Sequence, residues 1–451
     1  HWNSNMRAHL KASEILIPKK EKLSDLRKLG FAVAHISLDG GIFQGSTNLI
    51  SLSQKPKVMS SAIAQTVEFK SGGWGAKEYP TSLLGAIAFI RQGFIDAQWY
   101  DKAQKIILKY PDVNEQIEFD RSLSSLGEFL NQKKAFVFET KNEIYIDRAQ
   151  NIANEFDLKL WIKGSGYEYR RINELKQNFM IIPIDYPSKP EVTNPQTALQ
   201  YSTHQLKHWD LAPDNLKKLS EQNLKFAISS SGLKNKEDFR KNLSHSIRRG
   251  LSEKDALASL TTIPAQAFGQ SKRLGKIAPG YMANLAITDG NYFNENSTVQ
   301  SIWIEGNKIE ISPEPINELS GIWTLKERER EWTLDIDKKG STYSAKLKKD
   351  GDSLSVQNLQ ILRDQISFMV NDSSYFDIGA VRFIGSIEGK KIIGKIIYSD
   401  DNISSWSAQL DLKKSPPRYE IREERPSKLN VFFPEGAYGL DDEIIEPKTI
   451  L

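Results

Sequence analysis

Four short apolar runs, three of them leading into a helical segment, constrain this chain more than any other feature. They are Ala135-Phe136-Val137-Phe138, Lys159-Leu160-Trp161-Ile162, Phe179-Met180-Ile181-Ile182-Pro183-Ile184 and Phe226-Ala227-Ile228-Ser229. The first precedes a helical segment around Ile144 to Phe156, the second one from Tyr167 to Lys176, and the fourth one from Asp238 to Arg249. A proline-containing stretch follows the third. A strand that is apolar on both sides must be covered on both faces, and strands that alternate with amphipathic helices form a parallel sheet. The pattern therefore predicts an α/β fold with a parallel sheet, here a barrel.

Upstream, Phe31 to Ile36 reads as a strand that runs into the loop Asp39-Gly40-Gly41. Gly45 to Phe69 holds further strand-like runs around a turn at Gln54 to Lys57. Ser71-Gly72-Gly73-Trp74-Gly75 reads as a loop lining the pocket; neither glycine-rich loop has the spacing or the lysine of a phosphate loop. Pro80 to about Lys105 is predicted as a long helix with Leu83, Leu84, Ile87, Ile90, Phe94 and Ile95 as its buried stripe. Pro18 to Leu29 reads as a polar helix.

From about Ser312 the pattern changes. Pro313 and Pro315 mark a linker. Short alternating runs then follow one another from Ser320 to Leu412, separated by turn signals at Lys338-Lys339-Gly340, Asp350-Gly351-Asp352 and Glu388-Gly389-Lys390. Regular short strands with polar turns predict an antiparallel meander, either a sandwich or a lipocalin-like barrel. Residues 416–451 read as an extended tail or linker. The expected division is 1–282 for the (β/α) barrel, 283–311 for strands of a small β-sandwich, 316–415 for the meander, and the tail.

Composition excludes several function classes. Lys and Arg number 61 against 57 Asp and Glu, a balance that gives no electrostatic case for nucleic acid. There is no cysteine, which removes disulfides, thiolate catalysis and thiolate-bound zinc. No apolar run approaches the length of about 18 residues that a membrane-spanning helix needs.

One segment carries a more specific signal. It reads GLSEKDALASLTTIPAQAFGQSKRLGKIAPGYMANLAITDGNYFNENSTVQSIWIEGNKIE over residues 250–310. Ser252 suits an N-cap with Asp255 at N3, and Pro264 suits the first turn of a second short helix. Ala283 to Ile287 and Val299 to Ile304 read as strands, the latter closed by a turn at Glu305-Gly306-Asn307-Lys308. In order and spacing this segment resembles the C-terminal end of the amidohydrolase superfamily, near its imidazolonepropionase-like branch. The resemblance implies a (β/α)8 TIM-like barrel and a metal-dependent hydrolase of carbon–nitrogen bonds. It also implies opening sandwich strands and a first barrel strand, which residues 1–30 do not supply. The barrel is thus expected to be incomplete at its N-terminus, completed by a missing N-terminal segment or a separate chain. The resemblance extends to long envelope-associated proteins, similar to those of Bacteroidetes, in which a degenerate unit precedes an intact one. It places the chain in the periplasm or cell envelope beside a second, intact amidohydrolase unit.

The ligand set that the resemblance implies does not carry over. Members of this superfamily use a His-x-His pair on the first strand, a His on the fifth, another on the sixth and an Asp on the eighth. Here the fifth-strand position falls on Glu139, the sixth near Lys163 or Gly164, and the eighth on Ser231. A serine hydroxyl is no base near neutral pH, and a lysine repels a metal. No metal cofactor is therefore expected in this chain, with zinc or another divalent ion confined to intact relatives. Glu139, Lys163 and Asp185 are candidates for an ion-pair set where a metal once sat. Asp185, alternatively, caps a turn.

The remaining pocket candidates are His35 and Asp39, at the end of a strand, and His208. His204 and His208 stand four apart, a spacing that can bind zinc on a helix, but no catalytic glutamate adjoins the first, so surface or capping roles are expected. His1 and His9 are expected in a segment that crosses the barrel mouth or is loose, and His245 on a helix surface. The resulting function is a scaffold or binding half of a larger hydrolase assembly. The alternative is an active hydrolase whose ligands come from the missing segment plus His35 or His208. A third reading gives the meander a lipid or sugar ligand.

Overall fold

A computed structural model describes residues 3–15, 20–72, 78–110, 117–191, 195–295, 297–312, 319–339, 342–349, 351–362, 364–371, 379–400 and 402–413. His1, the Gly73-Trp74-Gly75 part of the glycine-rich loop, Pro313, Pro315 and the expected tail lie outside the described residues. In chain order the first part holds α1 (Ala12–Ile15), α2 (Lys20–Lys28), β1 (Val33–Ile36), β2 (Phe43–Ser46), β3 (Asn48–Ser51), β4 (Lys57–Ser60), β5 (Ala64–Glu68), α3 (Leu83–Lys109) and α4 (Arg121–Asn131). There follow β6 (Ala135–Glu139), α5 (Glu143–Glu155), β7 (Lys159–Lys163), β8 (Phe179–Pro183), α6 (Pro195–Ala198), α7 (Thr203–Leu211), α8 (Asn215–Glu221), β9 (Phe226–Ser229), α9 (Asp238–Arg248), α10 (Glu253–Leu260) and α11 (Thr262–Ala267). Among the described residues, those up to 285 with 303–307 cluster as one unit, and 286–302 with 308–413 as another.

The main sheet has the order β2-β5-β6-β7-β8-β9. Strands β5 to β9 pair in parallel, and β2 runs antiparallel to β5. The expected eight-stranded parallel barrel is therefore represented by six described strands, one of them reversed. A second sheet, β1-β3-β4, is antiparallel.

The strands have two apolar faces for the reason the sequence suggests. Phe136, Phe138, Leu160, Ile162, Met180, Ile182, Phe226 and Ile228 are all buried and alternate with Ala135, Val137 and Trp161, which cluster with Ala64 on the inner face. Helices pack along the strands, with α4 against β5, α5 against β7, and α10 against β9. Side-chain caps fix the helix starts: Asp120 accepts from the Ser122 and Leu123 amides, and Asn142 from those of Ile144 and Tyr145. Ser252 accepts from the Asp255 amide at 3.0 Å.

Three expectations are corrected. The N-terminal segment neither crosses a barrel mouth nor hangs loose. The Arg7 amide donates to Phe43 O and the Ser46 amide to Leu10 O, both at 2.8 Å, so residues 5–11 run along the outer edge of β2. Met6, Ala8 and Ala12 are buried there. On α3, Leu84 and Ile95 are not in the buried stripe; they are 78% and 49% exposed. The buried face is Ala86, Phe89, Ile90, Gly93, Phe94, Ala97 and Tyr100. Gly93 selects it, since a Cβ there would lie 2.6 Å from the Phe43 ring and 2.8 Å from Met6 Cε. Finally, Tyr167 to Lys176 is a 3-10 segment, Glu168–Glu174, broken at Arg171.

The small sheet comprises β10 (Leu285–Thr288), β11 (Val299–Ile304) and β12 (Asn307–Glu310), in that order. Left-handed Glu305 and Gly306 make the turn between the last two. The meander is β13 (Gly321–Glu327), β14 (Arg330–Lys339), β15 (Thr342–Lys349), β16 (Asp352–Leu362), β17 (Gln365–Asn371), β18 (Ala380–Glu388), β19 (Lys391–Ile397) and β20 (Ile403–Lys413). It closes as an eight-stranded antiparallel barrel, β20 pairing with β13, which decides between the two architectures left open by the sequence. Trp323, Trp406, Phe368 and Phe383 fill its interior, the two phenylalanine rings stacked at 4.6 Å. Trp323 Nε1 donates to Leu319 O at 2.9 Å, so its polar edge is satisfied. A core filled this way weighs against a lipid-sized space inside the barrel.

Phe94 touches Phe43, Phe136 and Phe156 with ring centroids 5.2–5.4 Å apart. Phe94→Ala is expected to cost about 3–5 kcal/mol in denaturant unfolding. Leu84→Ala, on the same helix, is expected to stay within about 0.5 kcal/mol of the parent.

Candidate functional site

The inner face of the parallel sheet ends in charge. Register pairs Glu68 of β5 with Glu139 of β6, and Glu139 with Lys163 of β7. The three therefore stand side by side at the C-terminal ends of adjacent strands, where barrel enzymes place their working groups. Lys163 Nζ donates to Glu139 Oε1 at 2.7 Å. Glu68 accepts from Gln44 Nε2 at 3.0 Å and lies 3.8 Å from Lys141 Nζ. Burial pushes the Glu68 carboxyl up, and the neighbouring Glu139 charge adds to the effect.

His35 of β1 lies close below this row. Its ring stacks on Phe268 at 4.5 Å and meets Trp161, two residues before Lys163, edge-on at 6.4 Å. Its Nε2 is buried without a hydrogen-bond partner among the described residues. Burial first, and then the Lys163 charge, hold the imidazole down to about 4. Asp39 sits in the loop after β1, where its carbonyl accepts from the Arg7 guanidinium at 3.2 Å.

The other candidates have different neighbours. Asp185 follows β8 beside Gly232, where an added Cβ would lie 2.8 Å from Asp185 Oδ2; Lys236 is the cation near it. Ser231 follows β9, its amide donating to Ser229 Oγ at 3.1 Å. His208 is not a surface residue. It is 8% exposed, stacked at 3.7 Å on Tyr167, with Nδ1 at 3.2 Å from the Tyr169 hydroxyl. The Arg170 guanidinium lies against His204. Burial, Arg170 and then His204 hold His208 down to about 4. A helix pair with zinc spacing is thus built into an aromatic and cationic stack, which disfavours a metal. His9 Nδ1 is 2.7 Å from Ser122 Oγ, and His245 faces the Tyr186 ring at 6.4 Å.

Sequence reasoning missed Glu68 and Glu168. A signal for Glu68 existed: Ala64-Gln65-Thr66-Val67-Glu68 repeats the inward Ala and terminal Glu of Ala135-Phe136-Val137-Phe138-Glu139. Glu168 gave none. It is buried after β7, and its carboxylate accepts from the Ser165 and Gly166 amides and from Asn215 Nδ2 at 2.6 Å. These bonds shape the loop at Gly164, where a Cβ would lie 2.4 Å from Glu168 Oε1. Burial pushes its carboxyl up.

Residues 211–309 match the model of the amidohydrolase family. The chain is similar to the amidohydrolase tasK of Hapsidospora irregularis, 39% identical over 57 residues, which are 13% of this chain and 6% of that protein. The chain thus spans a small fraction of that relative's length. Its fold is similar to that of an amidohydrolase from Thermotoga maritima MSB8, with a TM-score of 0.57 and 21% identity over 68% of this chain and 80% of that one. The parallel sheet and the closing segment define an α/β fold of the kind these amidohydrolases share. Residues 211–309 carry the amidohydrolase family's signature, and together these likenesses support a place in the amidohydrolase superfamily.

The divalent ion that this superfamily implies does not fit the residues present. Among the described residues no three His, Asp or Glu side chains converge as ligands. At the strand ends, an ammonium group stands beside the carboxylates.

His35 and His208 give the fold a pH dependence. A histidine whose folded value, about 4, lies below its unfolded value of about 6.5 binds fewer protons when folded, so stability rises with pH between the two. The contribution is present above pH of about 6.5 and is lost as pH falls toward about 4. Urea midpoints taken at pH of about 7, 6 and 5 should fall steadily. The fall should be shallower in His35→Phe and His208→Phe, which keep the ring stacks, and an unchanged slope in both would reject the assignment.

Proposed function

We propose that this chain is an amidohydrolase-fold unit that has lost its metal site and serves as a scaffold or binding half of a larger hydrolase assembly. One observation carries the reading. The ends of β6 and β7, where the superfamily places two metal-binding histidines, present Glu139 and Lys163 bonded to each other at 2.7 Å. A cation fixed by the protein itself competes with any divalent ion for the same carboxylate. Ser231, at the position of the catalytic aspartate, has its neighbour in Ser229 and offers no proton acceptor near neutral pH. The partners that suit this reading are a second, intact amidohydrolase unit and a segment that completes the barrel. Residence in the periplasm or cell envelope belongs to the same proposal and comes from the family resemblance alone.

A second reading rests on His35. Its buried Nε2 has no partner among the described residues and is held neutral, the state in which an imidazole ligates metal. On that reading, ligands from a preceding segment or a partner chain complete a site with His35, and the assembly hydrolyses carbon–nitrogen bonds.

Elemental analysis of the purified chain, prepared without chelator, decides between them. The first reading expects substoichiometric zinc, manganese and iron, and an unfolding temperature that chelator leaves unchanged. Near-stoichiometric metal, lost together with stability on chelation, would sink it and direct attention to His35.

A further inference from the structure

We propose that Lys163 is a built-in cationic ligand for the acidic mouth of the sheet, its ammonium taking the electrostatic place that a divalent ion holds in metal-bearing barrels. The inference deepens the metal-free reading above and rests on it.

The geometry is set by backbone register. Glu68 and Glu139 are direct partners on neighbouring parallel strands, which brings their Cα atoms to about the 4.8 Å strand spacing. Two carboxylates so placed repel each other, and both are withdrawn from water: the side chains of Glu68 and Glu139 are 16% and 23% exposed. Lys163 is the next residue in the same row and bonds Glu139 directly. Its backbone is fixed as well, because the Thr140 amide and hydroxyl both donate to Lys163 O at 2.9 Å. Two residues earlier on the same strand, Trp161 packs against His35 and Phe268, so an apolar layer adjoins the charged row. Lys141 reaches Glu68 only at 3.8 Å and is itself largely exposed, so it is the weaker partner. A surface ion pair would contribute little. This one closes a site: the mouth carries a ligand of primary-ammonium chemistry that belongs to the chain.

The experiment removes the ligand and offers it back. Lys163→Ala, made in the whole chain, should unfold at a lower temperature than the parent near neutral pH. n-Propylammonium chloride, which restores the lost ammonium and part of the stem, should raise that temperature by several degrees. An equal concentration of sodium chloride should not. The parent and the Lys163→Ala/Glu139→Gln double variant should respond to neither salt. A folded Lys163→Ala protein with the parent's unfolding temperature, or one that responds equally to both salts or to neither, would overturn the proposal. If Lys163→Ala does not fold, its refolding yield becomes the readout: recovery in n-propylammonium but not in sodium chloride supports the proposal, and no difference overturns it. The metal analysis tests the underlying reading separately, since stoichiometric metal in the parent chain would remove that reading whatever the amine does.

Discussion

The parallel register of β5 through β9 is the constraint on which the first unit depends. It places alternate side chains in two sets, one under the helices and one facing inward. A shift of one residue in any pair would exchange the sets, burying Glu139 under helices and turning Phe138 inward. The outer face resists such a shift because Phe136, Phe138, Ile162 and Phe226 are wholly or almost wholly buried. The same register that secures the core thus delivers Glu68, Glu139 and Lys163 to one row.

On the metal-free reading proposed above, that row is what holds the strand ends together without an ion. The interior of the sheet is closed by Ala64, Ala135, Val137, Trp161, Phe179 and Phe268, none of which is a ligand. The strand ends need charge neutrality more than they need a particular ion. A lysine on one strand facing a glutamate on the next satisfies it within the chain. Glu168 makes the same point one loop later: a buried carboxylate is acceptable where two amides and a side-chain amide are aimed at it.

Much of the fold was legible. The four apolar runs became strands within a residue or two, because burial on both faces leaves little freedom in composition. Ser252 caps its helix as its spacing with Asp255 suggests, and the short alternating runs between Ser320 and Leu412 became the strands of one barrel. The misreadings have specific causes. Helix α3 is apolar on more than one face, so periodicity offered two stripes; Gly93, by admitting Phe43 and Met6, chose between them. Residues 5–11 are held by backbone hydrogen bonds to β2, which leave no trace in side-chain pattern. His208 looked like a surface residue because Tyr167, Tyr169 and Arg170, which enclose it, are about 40 positions away.

What the sequence determined by itself is local: strand-forming runs, helix caps, turns, and the residue types that end each strand. Each follows from residues within a few positions of one another, where propensity and capping act. Glu139 and Lys163 were candidates for an ion pair from the sequence; the tertiary structure decided that the two bond directly, that Glu68 stands beside them, and that His35 lies beneath them in a neutral stack. Those partners come from β1, β5, β6 and β7, and what brings them together is the hydrogen-bond register between strands distant in the chain, a quantity that no stretch of sequence contains.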